Sequence, residues 1–446
     1  MFDLIGIAAV CGVPDETTVR HMLSRLKHRG PQASGVLSTA DAALGYAGHD
    51  DEALHAAGEE AIVFDGDPAA RDVKPQTILA TLTEQGAGGL ARIHGAFALV
   101  ARTRRGLIAA RDRFGLKPLY YGRSGTQVFF ASELKALVGT CDRIAPVLPG
   151  TYYRTDSGLI PFDDGKLNND EPVPATTEAA GEKLRQLLTR AVSRRLPDDR
   201  NVGVFLSGGL DSSIVAAVTT RLRGPVKTFA AGYEGSPDLR HARVAADHLG
   251  TDHTDYRYAR EEMLRVLPRV IYHLESFDWS LVRSAVANYL VARLAGEHGV
   301  DIILAGEGAD ELFGGYHYLK DKAPAAQVRE LENLLRAGHN IGFQRVDRMT
   351  AAFALDCSMP FMDQDLVRLA TALPIEWKIH GPDHLEKWIL RRSFSDYLPD
   401  QIIRRRKDEF SQGAGSAAVI EALAEQEISD AEFVREREPF PGRFLR

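Results

Sequence analysis

Eight consecutive residues, Leu206-Ser207-Gly208-Gly209-Leu210-Asp211-Ser212-Ser213, gather two glycines, three hydroxyls and one carboxylate. The two glycines carry no Cβ to hold a ligand away, and the serines supply donors. Val202 to Leu206, just before them, is a short apolar run that reads as a buried strand, and Ile214 to Leu222, just after, has the apolar spacing of a helix. A glycine turn at a helix start offers free N–H groups and the positive end of a dipole, so the chemistry is that of holding an anion such as a phosphate. The loop is not of the G-x-x-x-x-G-K-[ST] type, because no lysine follows and Asp211 stands inside it. A carboxylate beside phosphates calls for a divalent cation, which makes Asp211 a candidate Mg²⁺ ligand.

A second cluster places Glu307, Asp310 and Glu311 among Gly306, Gly308, Gly314 and Gly315, directly after the strand-like run Asp301 to Ala305. Three acids among glycines make poor core, and at a strand end they read as a site around a metal nucleotide. A basic run, Arg404-Arg405-Arg406-Lys407, lies further on. Basic runs are commonly solvated faces.

The elements that must position these groups fall into two kinds. Before about residue 165 the apolar runs are short and turn-punctuated: residues 4–10, Leu44 to Tyr46, Ala61 to Phe64, Gly95 to Ala101, Gly106 to Ala110 and Val128 to Ala131, with a helix at Thr17 to Leu26. Such a pattern predicts a strand-rich α+β domain. Pro161 to Thr177 reads as a linker. From Glu178 strands and helices alternate, with strands at Thr228 to Tyr233 and His253 to Tyr258, which predicts an α/β parallel sheet with ligands at the carboxyl ends of its strands. The expected domains are 1–165 and 178–446.

The Ser207-Gly-Gly-Leu-Asp-Ser-Ser213 stretch resembles the pyrophosphate-binding loop of ATP pyrophosphatases, which split ATP between its α and β phosphates to adenylate a substrate. Several stretches of the first domain resemble the glutaminase domain of asparagine synthetases: His28-Arg-Gly-Pro31, Gly95-Ala-Phe-Ala98, Ala110 to Tyr121 and Ala131-Ser-Glu-Leu-Lys-Ala136. The resemblance implies an Ntn-hydrolase-like (glutaminase-like) sandwich followed by an ATP pyrophosphatase (adenine nucleotide alpha hydrolase-like) domain. It implies a nucleotide site of Leu206, Ser207, Gly208, Gly209, Asp211, Ser212, Ala231, Gly232 and Gly306, the last two stretches being similar to those that pack on adenine and follow the fourth strand. It also implies Glu307 and Lys407 as catalytic groups, Asp211 and Asp310 beside Mg²⁺, and Arg283 on the α-carboxylate of aspartate. Glu307 is the expected mark of an enzyme that takes external ammonia, since β-lactam-forming relatives resemble this chain but carry tyrosine there. Leu355 to Asp363 resembles a family stretch with arginine where Ser358 stands.

The front half departs from that pattern. Ile5 occupies the position of the nucleophilic cysteine, Asp65-Gly66-Asp67 replaces an Asn-Gly-Glu oxyanion stretch, Val73-Lys74 replaces a Ser-Asp pair, and no arginine lies near Tyr46 to Asp50. A hydrocarbon side chain supplies no nucleophile, and a carboxylate opposes the charge it should stabilise. Cys11-Gly12-Val13 mimics the family's first tripeptide, but exposing Cys11 as residue one would remove the first strand. His28, Arg29, Arg111 and Asp112 are then expected to be structural, the first two joining helix to strand, and the purpose of the inert domain stays open, covering apolar surface of its neighbour being one option.

With 446 residues, a formal net charge of -7 and three scattered cysteines, the composition gives no reason to expect nucleic acid, a disulfide framework or a membrane span. A cytoplasmic protein is expected, with the oligomeric state open and a homodimer among the options. The sequence therefore points to an ATP- and Mg²⁺-dependent, AMP-forming amide ligase making asparagine from aspartate and ammonia without glutamine hydrolysis. A related ligase of the β-lactam or macrolactam type, or with another carboxylate and amine, is the alternative, and a non-catalytic nucleotide-binding or scaffold protein a further one.

Overall fold

A computed structural model describes residues 4–49, 52–66, 74–162, 173–407, 420, 422, 425–427 and 429–437. Among the described residues the front half holds twelve strands: β1 Gly6–Cys11, β2 Ala33–Ser38, β3 Ala42–Gly48, β4 Leu54–Ala57, β5 Glu60–Gly66, β6 Phe97–Thr103, β7 Gly106–Arg111, β8 Tyr120–Ser124, β9 Gln127–Ala131, β10 Arg143–Pro146, β11 Thr151–Arg154 and β12 Gly158–Pro161. They form two sheets, in the orders β10-β8-β9-β1-β3-β2 and β12-β11-β7-β6-β5-β4. Alternation along each strand sends one set of side chains between the sheets, where Ile5, Ile7, Ala9, Leu44 and Phe130 meet Val63, Val100 and Tyr153. The other set faces outward onto helices: α1 (Glu16–Ser24), capped by Asp15, covers the first sheet, and α2 (Pro75–Gln85) covers the second. The result is an αββα sandwich of the Ntn type.

The back half is built on five parallel strands, β13 Val202–Phe205, β14 Lys227–Tyr233, β15 Asp252–Tyr258, β16 Ile302–Leu304 and β17 Asp356–Ser358, in the order β15-β14-β13-β16-β17. After the short α3 (Leu134–Leu137), its helices are α4 (Thr177–Arg194), α5 (Leu210–Arg223), α6 (Pro237–Leu249), α7 (Arg260–Leu274), α8 (Trp279–Glu297), α9 (Ala309–Phe313), α10 (Pro324–Ala337) and α11 (Gly342–Ala351). Helices α4, α5 and α6 pack one face of the sheet, and α7, α8 and α11 the other, so the central strands β13, β14 and β16 are buried and mainly apolar, whereas β15 at the edge is polar and half-buried. From β13 the chain first adds β14 and β15 on one side, then returns to lay β16 on the other. The crevice between β13 and β16 is a topological switch point, where an open α/β sheet leaves room for a ligand. The fifth strand, β17, was not legible in the sequence because three residues carry too little pattern.

Candidate active site at the strand ends

The turn after β13 is shaped by contact. Gly208 has φ of +68°, and a Cβ on it would lie 2.2 Å from the His241 carbonyl carbon on α6, so glycine alone fits. Gly209 caps α5 with no side-chain hydrogen bond, which leaves the first N–H groups of the helix to a ligand. Ser207 Oγ lies 3.2 Å from Ser212 Oγ and accepts the Gly209 N–H at 3.3 Å. From the neighbouring strand, Gly306 approaches so closely that a Cβ would stand 2.8 Å from Ser212 N. The two loops thus enclose one space.

That space is a cavity of about 310 Å³. Leu206, Ser207, Gly209, Asp211, Ser212 and Ala231 form one part of its wall, and Gly306, Glu307 and Asp310 another. Arg283, whose guanidinium stacks 4.0 Å from the Trp279 ring centroid, and Lys407 also line it. Gly208 and Gly232 stand behind the wall: Gly208 against α6, and Gly232 where a Cβ would meet Ser236 Oγ at 2.7 Å. Of the run Arg404 to Gly415, residues 408–415 lie outside the described residues.

Charge is arranged in alternation. Lys407 Nζ donates to Asp310 Oδ2 at 2.7 Å, and Lys387 Nζ lies 2.5 Å from Asp310 Oδ1 while also pairing with Asp211. Burial would raise the Asp310 carboxyl, but Lys387 and Lys407 outweigh it and hold the group well below the usual carboxylate range. Burial would likewise lower Lys407, and Asp310 with Asp211 outweighs it, keeping the ammonium charged. Glu307 differs. Its burial pushes the carboxyl up, and Arg345 Nη2, 3.3 Å from Glu307 Oε1, offsets part of that rise. A carboxylate of raised pKa in a cleft is suited to taking a proton.

Lys387 is absent from the sequence reading. It is 1% exposed and adopts φ of +55° ahead of the helix Trp388–Ser393, an uncommon conformation for a non-glycine residue. No glycine loop or strand end marks it; only a lone Glu-Lys pair before an apolar helix does. Arg391 and Arg405 were missed too. Arg391 Nη1 donates to the carbonyls of Ile403 and Arg405, and Arg405 in turn pairs with Asp238 and reaches the Ser207 carbonyl at 3.4 Å. These bonds draw the chain that carries Lys407 across the mouth of the pyrophosphate-type loop.

The Asparagine synthase family model matches residues 183–340 and 334–440, and the Glutamine amidotransferase domain model matches residues 71–149. Asparagine synthetase [glutamine-hydrolyzing] 2 of Oryza sativa subsp. japonica is 33% identical over 479 residues, covering 96% of this chain and 80% of the relative. The chain belongs to the asparagine synthetase family. Asparagine synthetase [glutamine-hydrolyzing] of Triphysaria versicolor is also 33% identical, over 98% of this chain and 83% of its own length. A solved NH3-dependent NAD synthetase from Campylobacter jejuni covers 61% of this chain and 99% of its own at 12% identity and a TM-score of 0.28, too loose a match to carry an argument. Membership makes this an ATP-dependent ligase of the asparagine synthetase type.

The front-half positions that depart from the family resemblance are committed to packing and ion pairs. Ile5 is 2% exposed within the inter-sheet core. Asp65 is buried between Lys117 Nζ at 3.2 Å and Arg29 at 3.6 Å, so it is an ion-pair partner. Asp67, Val73 and Asp50 lie outside the described residues, and Lys74 precedes α2. Cys11 ends β1, paired with Ala42 on one side and Val128 on the other, and burial pushes its thiol up to about 12. It is a strand residue.

The asparagine synthetase motifs that survive in the front half build its contact with the back half. Arg29 Nη1 bridges Glu133 at 3.0 Å and Asp347 of α11 at 3.1 Å. Arg348 Nη1 lies 2.9 Å from Glu133, and its Nη2 3.2 Å from Glu275. Glu275 accepts the backbone N–H groups of Leu134 and Lys135 at 2.9 and 2.7 Å, and Lys117 Nζ donates to Asp356 at 2.8 Å. Arg29 does more than join helix to strand: the contact between the halves is a buried ionic network beside apolar packing of Ala96, Phe114 and Leu116 on the back-half core. Ser358, where the family resemblance places arginine, accepts from Arg195 Nε at 2.8 Å, so the end of α4 supplies the guanidinium instead.

Proposed function

We propose that this asparagine synthetase relative forms the side-chain amide of aspartate from ATP and free ammonia, releasing AMP and pyrophosphate, with no glutamine hydrolysis of its own. The observation that carries this reading is the contrast between its two halves: Ile5 is packed hydrocarbon where a thiol is needed, while Asp211, Glu307, Asp310, Lys387 and Lys407 converge on one cavity. In this reading the nucleotide lies along the α5 start with its base near Ala231. The aspartate side-chain carboxylate attacks the α-phosphorus, the bond to the β-phosphate oxygen breaks, and Lys387 and Lys407 stabilise the charge that builds on pyrophosphate. Ammonia then adds to the acyl carbon, Glu307 takes the proton that nitrogen must lose, and AMP departs. Arg283 holds the α-carboxylate of the substrate.

The residues present fit Mg²⁺. Among the described residues no group of three or more His, Cys, Asp or Glu forms a cage, and Mg²⁺ bound with phosphates needs only one or two carboxylates. Asp211 Oδ1 is buried without a hydrogen-bond partner, and Asp211 with Asp310 would hold the ion, which when bound neutralises phosphate charge.

The test is AMP and asparagine formation from ATP, Mg²⁺ and aspartate with either ammonium or glutamine as nitrogen source. Product with ammonium alone is expected. Turnover on glutamine without added ammonium, or no aspartate-dependent AMP at all, would overturn the proposal.

A further inference from the structure

A second cavity, of about 490 Å³, opens at the edge of the front sandwich and is walled by Tyr121, Arg123, Arg143, Ala145 and Tyr153, with Asp142 at its side. Tyr121 and Tyr153 belong to the core between the two sheets, whereas Ile144 packs outward with α1. Alternation along β8 and β10 therefore turns both Arg123 and Arg143 toward the inter-sheet space. Both side chains are exposed at the mouth of that space, within reach of a ligand there.

The two are also direct partners in the antiparallel ladder of β8 and β10, a position where like charges destabilise the sheet. Arg123 is anchored: its Nε donates to the Tyr153 hydroxyl at 3.0 Å, and its guanidinium lies 5.6 Å from that ring's centroid. Arg143 makes no hydrogen bond or ion pair with the described residues, Asp142 included. The Tyr121 ring, 5.1 Å from that of Tyr153, completes an aromatic wall. This end of the sheet is opposite to Ile5, since β1 reaches Val128 at Cys11 and Val128 pairs with Arg123. It is therefore separate from the position that lost the glutamine chemistry.

Two guanidiniums side by side suit an oxyanion carrying two charges, because each offers forked N–H donors to phosphate oxygens. The aromatic wall suits a flat ring attached to it, and the volume falls in the range of small-ligand pockets. We propose that this cavity binds a phosphate monoester bearing an aromatic ring, of the size of a nucleoside monophosphate.

The experiment is calorimetric titration of AMP into the full chain after the strand-end cavity has been saturated with α,β-methylene-ATP. The first titration reads the strand-end site separately. In the second, one further AMP per chain is expected, with affinity about tenfold lower in Arg143→Ala, whose exposed side chain leaves the melting temperature unchanged. Adenosine and inorganic phosphate should each bind at least about tenfold more weakly than AMP. No AMP uptake beyond the saturated site, equal affinity in Arg143→Ala, or phosphate binding as tightly as AMP would each overturn the proposal.

Discussion

The Glu386 carboxylate accepts the backbone N–H of Lys407 at 3.1 Å. The same carboxylate takes Arg391 Nη2 at 2.7 Å and Lys320 Nζ at 3.1 Å, and it is 1% exposed. Its neighbour Lys387 ties Asp211 to Asp310, so one dipeptide fixes both the lysine-bearing chain and the two acids it faces. Glu386→Gln keeps the shape and removes the charge. It should lower kcat for AMP formation by about tenfold or more while leaving the KM for ATP less changed, because Lys407 is misplaced and not lost. Faster tryptic cleavage after Arg404 to Lys407 would accompany it, and wild-type kinetics would dismiss the role.

Lys387 and Lys407 should not be equivalent to remove. Lys407→Ala leaves Asp310 still paired with Lys387, and the main effect expected is a fall in kcat of about 100-fold or more. Lys387→Ala deprives two acids, Asp211 and Asp310, of their shared cation, and is expected to lower stability by about 3 kcal/mol as well. Denaturant midpoints of the two variants distinguish these outcomes.

Glu307 predicts the acid limb of the rate profile. Its carboxyl is raised by burial and partly drawn back by Arg345, and only the ionised form accepts a proton. Activity should therefore rise with pH through a value above that of an ordinary glutamate, and Arg345→Gln should move the limb to still higher pH. A limb that stays in place in Arg345→Gln would contradict the assignment.

The ionic contact between the halves predicts an acid transition. Burial would raise Glu133 and Asp347, but the cations around them outweigh it and hold both below their ordinary values. Carboxyls depressed in the folded state contribute their stability fully above the unfolded pKa, near 4, and lose it as pH falls through the folded value. Stability should thus hold down to about pH 4 and drop below it, and Arg29→Ala should cost about 3 to 5 kcal/mol at neutral pH. Urea unfolding across pH 2 to 7 checks both.

Ile5→Cys should not restore glutaminase activity. The new thiol would sit in the inter-sheet core, and Asp65 nearby is committed to Lys117 and Arg29. Glutamate release from glutamine should stay at background, and the thiol should resist a disulfide reagent in the folded protein.

The sequence made the site legible where chemistry is concentrated in one stretch. Ser207 to Ser213 and Gly306 to Glu311 each bring glycines and polar groups together at the end of an apolar run, and both loops meet at the cavity. The centre of the parallel sheet was equally readable, because β13, β14 and β16, buried on both faces, leave mainly apolar runs. Lys387, Arg345, Arg391 and Arg405 were not legible: each gains meaning only from contacts that the fold creates, as between Lys387 and Asp211. The small strands β2, β4, β8 and β10 to β12 were missed for the opposite reason, since short, partly exposed strands of four to six residues carry little pattern. Arg29 was read as a local support because nothing in the sequence announces that its partner Asp347 lies on α11.

The charged contact between the halves sets a limit on how the protein can be simplified. Cut away everything before α4, and Glu275, Asp347 and Asp356 would lose Lys135, Arg29 and Lys117, their cations across the contact, on a surface made to be dry. At this contact the front half is a counterweight of positive charge, and producing the ligase half alone would call for redesign of those three acids.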